Sequence, residues 1–160
     1  MSSPASIAKH PIHPMLVAFP IGLWVFSLVC DIIYFAGSGA NSWKIAALYS
    51  LGGGIIGALL AAVPGLIDLL SIHEAEMKRI AITHMLVNVA GLVIFAIDFA
   101  LRLRSAPGAI APFILSIIGV LLISVGGWLG GEMVYVKGMA VEAAQKNHSA
   151  KQSDAQRRAA

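Results

Sequence analysis

Charge is scarce in this chain: Asp, Glu, Lys and Arg make up 12% of its 160 residues, against 58% hydrophobic residues. Soluble domains carry roughly twice that share of charge. The few charges sit in short clusters between long apolar runs, and the mean hydropathy is +0.84. That pattern excludes a soluble core and fits membrane spans. Cysteine is scarcer still. Cys30 stands alone, so no intrachain disulfide forms; inside an apolar run it reads as a small buried hydrophobe. The sequence holds no Walker loop, zinc-protease signature or serine-nucleophile elbow, which argues against a nucleotide or hydrolase site. The net charge of +3 comes mostly from the tail and short loops, so it reports membrane topology, and no nucleic-acid partner is expected.

What is present is four apolar runs, 15–36, 45–70, 80–101 and 109–131. Each has about 20 or more residues, enough to cross a hydrocarbon core of about 30 Å as a helix. Helices are required because lipid offers no partners to open backbone groups. The first run follows a proline-rich segment (Pro4, Pro11, Pro14) and contains Asp31, so it reads as a retained span rather than a signal peptide. Pro64 predicts a tilt or kink near the end of the second.

Four spans place the N-terminus, the middle loop and the C-terminus on one side. That side holds Lys9, Lys78, Arg79, Lys137, Lys146, Lys151, Arg157 and Arg158, and the other holds Lys44, Arg102 and Arg104. The excess predicts that both termini are cytoplasmic. The expected organisation is a cytoplasmic His/Pro segment over 1–14, a transmembrane domain over 15–136, and a cytoplasmic tail over 137–160. From 141 onward the tail lacks a sustained apolar face and reads as a short helix fraying into disorder.

Two parts of the chain repeat. Residues 55–65, IIGALLAAVPG, match residues 117–127, IIGVLLISVGG, at seven of eleven positions. His13-Pro14-Met15-Leu16-Val17 opens the first span, and His84-Met85-Leu86-Val87 opens the third. The predicted fold is therefore an all-α, integral membrane four-helix bundle built from two duplicated helical hairpins. Two-span units share one orientation and are related by an axis along the membrane normal. His13 and His84 become symmetry mates at one depth. Gly53/Gly57 and Gly126/Gly130 have the small-residue spacing that lets the second and fourth helices approach closely.

All five histidines fall on the terminal side: His10, His13, His73, His84 and His148. His73, beside Glu74 and Glu76, reads as solvated, and His148 as a tail residue. In His10-Pro11-Ile12-His13-Pro14, proline after each histidine disfavours helix and stiffens the segment. A rigid pair of imidazoles suits a metal or haem iron; an interfacial loop bonding headgroups or helix ends is the alternative. Asn88 shares the His84 face. Asp68, inside a span, is a candidate to orient an imidazole, or to bond Thr83 or backbone freed by Pro64. Glu132 ends the fourth span on the same side. Asp98 with Arg102 four residues on reads as a helix-surface ion pair, and Trp43 as an interfacial anchor.

The HPIHPMLV opening, Phe19-Pro20-Ile21-Gly22, Pro64-Gly65-Leu66-Ile67-Asp68, His84, and Gly126-Gly127-Trp128-Leu129-Gly130-Gly131 with Val134-Tyr135 together resemble a bacterial membrane family, domain-of-unknown-function family 2231. The resemblance covers roughly residues 8 to 141 and implies a four-span protein of the bacterial inner membrane. Some relatives are joined to a Rieske-type iron–sulfur domain, which implies an electron-transfer setting. Many carry a histidine where this chain has Lys137, so a site of four imidazoles is not expected here.

The leading functional expectation is a small membrane redox protein holding one b-type haem, with His13 and His84 as axial ligands and His10 and Asp68 nearby. A redox partner protein or quinone, the lipid bilayer, and further copies of the chain are the partners compatible with it. One alternative is a zinc, iron or copper ion held by His10, His13, His84 and Glu132 or Asp68. The other is a cofactor-free accessory subunit of a larger complex. Four short spans with few interior polar groups speak against a transporter.

Overall fold

The computed structural model describes residues 3–8, 10–106 and 108–136; the expectations for the tail beyond 136, including Lys137 and His148, lie outside them. A two-residue antiparallel pair, β1 (Ser6–Ile7) and β2 (His10–Pro11), precedes four helices. These are α1 (Ile12–Ile33), α2 (Asn41–Leu70), α3 (Ala75–Arg102) and α4 (Ile110–Gly131). Single π-helical turns, Tyr34–Ser38 and Glu132–Val136, extend α1 and α4. The four candidate spans run 26, 30, 28 and 27 residues. At 1.5 Å per residue each exceeds a core of about 30 Å.

Local sequence explains the helix starts. His13 lies in the first turn of α1, a correction to the expected extended segment: Pro14 follows it within that turn, where the backbone N–H that proline lacks needs no helical partner. His10 keeps the extended form, in β2. Pro64 does not end α2, which continues through it to Leu70.

Each helix lies along two neighbours: α1 and α3 both pack on α2 and α4, most extensively within the hairpins α1–α2 and α3–α4. α1 and α3 are therefore diagonal, and large side chains bridge the gap between them. The His13 and His84 rings stand 6.2 Å apart between centroids, the Trp24 and Phe95 rings stack at 4.2 Å, and Arg102 pairs with Asp31. In all three layers the α3 residue lies 71 positions after its α1 partner.

Glycines on α2 and α4 make room for these rings. A Cβ at Gly54 would run into the Trp24 indole, and one at Gly119 would lie 2.6 Å from Phe95. A Cβ at Gly65 would lie 2.7 Å from His13, and one at Gly130 would lie 3.2 Å from His84. The floor glycines are 65 residues apart, not the 62 of the sequence repeat. Gly53 and Gly57 face Leu23 and Pro20 of α1, while Gly126 and Gly130 face Asn88 and His84 of α3. The expected α2–α4 glycine contact is thus corrected: these residues close each hairpin on itself.

Trp24, Leu51, Phe95 and Ile123 form the central core, and Ile72, Met77, Ala81 and Met133 a second one at the terminal end. The outward faces are aliphatic, with Ile56, Leu60, Val63 and Leu121 all above 60% exposed. Apolar residues outside and polar, glycine-lined contacts inside suit lipid as solvent.

Gly119→Ala should lower stability by about 1–3 kcal/mol through overpacking against Phe95, read as the unfolding midpoint in detergent. Gly127→Ala, whose Cβ would meet nothing within 4 Å, should not lower that midpoint and should raise it slightly through helix propensity.

Candidate functional site

Two polar centres sit at opposite ends of the α1–α3 contact. The first is the imidazole pair at the terminal side. His13 donates from Nδ1 to the Ala61 carbonyl at 2.8 Å, and His84 donates from Nδ1 to the Gly126 carbonyl at 2.9 Å. Ala61 and Gly126 are themselves 65 residues apart, so the two bonds are equivalent. Each fixes the Nδ1–H tautomer and leaves Nε2 as the ring's acceptor or ligand atom. Both residues are half-buried, and the ring planes cross at 85°.

The surroundings of the two rings differ. The Asn88 amide donates to the His84 carbonyl at 2.7 Å and lies 3.4 Å from both ring nitrogens. Gly126 accepts from His84 and, lacking Cβ, admits that amide: a Cβ there would stand 2.6 Å from it. The position 71 residues before Asn88 is Val17, so His13 has no such neighbour.

The other sequence candidates lie elsewhere. The exposed His10 bonds through Nδ1 to Ala8 O at 3.0 Å. Asp68 bonds neither an imidazole nor Thr83; its Oδ1 accepts from the Ser3 hydroxyl at 2.7 Å and from Ala5 N–H at 3.3 Å. Thr83 bonds Arg79 O within its own helix. Asp68 therefore anchors the N-terminal segment, which Ile12 N–H also ties through Ala5 O. Glu132 is half-buried in the π-helical turn after α4. Among the described residues, no three His, Cys, Asp or Glu side chains come together as metal ligands would.

The second centre was missed from sequence. Asp98 and Arg102 do not form a surface pair. Asp31 and Asp98 are completely buried, and the Arg102 side chain between them is 6% exposed. Arg102 donates to Asp98 from Nε at 2.9 Å and to Asp31 from Nη1 at 2.9 Å, while Nη2 reaches both carboxylates and Ser116. Ser116 in turn donates to Asp98 at 2.8 Å. Lys44 completes the group, 3.5 Å from Asp31 and above the Tyr34 and Phe35 rings. Two acids and two bases leave the cluster neutral, which is the condition for charge at this depth. The signal lay in a spacing: the 71-residue step from His13 to His84 also carries Asp31 to Arg102.

Two outcomes follow. Arg102→Met leaves the buried Asp98 without its ion partner and Asp31 with Lys44 alone, and should cost about 3–5 kcal/mol, whereas adding Asp98→Asn restores neutrality and should recover most of it; unfolding midpoints check both. Asp68→Ala should raise hydrogen exchange in residues 3–8 and leave the helices protected, a loss of about 1–2 kcal/mol confined to that segment.

A family model described as a predicted membrane protein (DUF2231) matches residues 9–143 of the chain. No curated protein and no solved structure matches it.

Proposed function

The chain belongs to the DUF2231 family of predicted membrane proteins, and from that footing we propose a small membrane redox protein whose His13 and His84 hold one b-type haem. The observation that carries this reading is the paired Nδ1 bonding. Metal-ligating histidines characteristically give their second ring N–H to a backbone carbonyl, which orients the ring and raises its basicity. Both imidazoles here have that bond, at 2.8 and 2.9 Å. Their proximity supports it too: the ring centroids stand 6.2 Å apart, so one bound group could engage both imidazoles. Haem held by two neutral histidines supplies one-electron chemistry. Asn88 and the Gly130 floor would keep His84 in orientation, and the Gly65 floor would do so for His13.

A zinc, iron or copper ion is the weaker reading. Such ions usually take further protein ligands, and His10 and Asp68 are engaged elsewhere. The proposal includes the bacterial inner membrane with cytoplasmic termini, and a redox protein or quinone as partner. Two of the three cations opposite the termini, Lys44 and Arg102, are held by Asp31, which supports that orientation.

The test is an absorption spectrum of the purified protein, with and without added haem. A Soret band is expected, lost in both His13→Ala and His84→Ala. No band after supplementation, or a band that survives both substitutions, would overturn the reading; metal content by elemental analysis then decides between a bound ion and a cofactor-free subunit.

A further inference from the structure

The neutral cluster around Arg102 borders a half-open cavity of about 180 Å³ between the start of α2 and the α3–α4 connection. Its polar wall is made by Asn41, Lys44, Arg102 and Ser105, and its apolar wall includes Leu48 and Pro112. None of its lining residues is acidic. Asp31 and Asp98 stand behind the cations, fully buried on the bundle side. The cavity therefore meets the basic half of a neutral group.

Lys44 has donors to spare. Its side chain is 16% exposed and makes one long contact, 3.5 Å to Asp31. An ammonium carries three donors. The Tyr34 and Phe35 faces, 4.4 and 4.3 Å away, hold it in place without consuming an N–H. Arg102 Nη1 makes one bond, to Asp31, and has a second proton. Asn41 and Ser105 add neutral donors. The wall also receives the first turns of α2 and α4, which Ala40 and Ala109 leave without side-chain caps, so their first N–H groups offset the last carbonyls of α3.

The position completes the argument. The cavity lies at the ends of three spans, where helices of this length reach the headgroup layer of a bilayer. A lining with two cations and no carboxylate, open at the span ends, selects an anionic oxygen ligand. We propose that this cavity binds a phosphate group, either the phosphodiester of an anionic lipid or free phosphate, with Lys44 as the principal contact. The inference does not rest on the imidazole site.

The experiment uses the full-length protein, stripped of lipid in an uncharged maltoside detergent and titrated calorimetrically. The probes are short-chain phosphatidylglycerol, phosphatidylcholine of equal chain length, and inorganic phosphate. Phosphatidylglycerol should bind about tenfold more tightly than phosphatidylcholine, which carries the same phosphodiester but brings a choline cation against Lys44 and Arg102. Lys44→Gln should abolish that preference and Lys44→Arg retain it. Should Lys44→Gln fail to fold, Asn41→Ala with Ser105→Ala removes two donors without touching the ion pairs and should weaken the preference severalfold. Competition by inorganic phosphate assigns the site to phosphate from any source; phosphatidylglycerol preference without competition assigns it to lipid. Equal binding of the two lipids, or a preference unchanged in Lys44→Gln and in the double variant, would overturn the proposal.

Discussion

The bundle depends on the contact between α1 and α3 across its axis. These helices lie diagonally, so only large side chains reach between them: imidazole to imidazole, indole to phenyl, carboxylate to guanidinium. The rings fit because α2 and α4 present glycine beneath them. Lipid tails supply no hydrophobic drive for helix association, so close packing and internal polar contacts must do that work. Every buried side-chain nitrogen or oxygen among the described residues finds a partner.

The same contact sets the chemistry at each end. At the middle, two aromatic rings form an apolar floor. On the terminal side the equivalent residues are identical, and two histidines meet with identical backbone bonds. On the opposite side they are complementary, Asp31 against Arg102, and the hairpins cannot be exchanged for one another. Asp98, Ser116 and Lys44 finish the neutralisation there. Asn88 against Val17 breaks the likeness even at the histidine level, giving His84 a polar neighbour that His13 lacks.

The spans were legible because apolar runs of that length have one stable conformation in lipid. The histidine pair was legible because both spans open with the same short motif. The rest was obscured by helical geometry. Asp98 and Arg102, four residues apart, offered a sufficient local explanation that hid Asp31. The match of residues 55–65 with 117–127 is three residues out of contact register, close to one turn, and such a slip keeps side chains near the same face. The glycines were given the wrong partners for another reason: small-residue spacing marks a close helix approach but not which helix is approached. Pro14 misled about His13 because the bias of a residue before proline against helix is a preference, and α1 begins at Ile12 in spite of it. Asp68 sits within a span, but the chain end that claims it has no sequence pattern to announce it.

The most direct measurement is solid-state NMR on the full chain in lipid bilayers with ¹³C,¹⁵N-labelled histidine. The account predicts a through-space cross-peak between the His13 and His84 rings and nitrogen shifts of the Nδ1–H tautomer for both. No cross-peak, or an Nε2–H tautomer at either ring, would contradict the facing imidazole pair on which the functional reading stands.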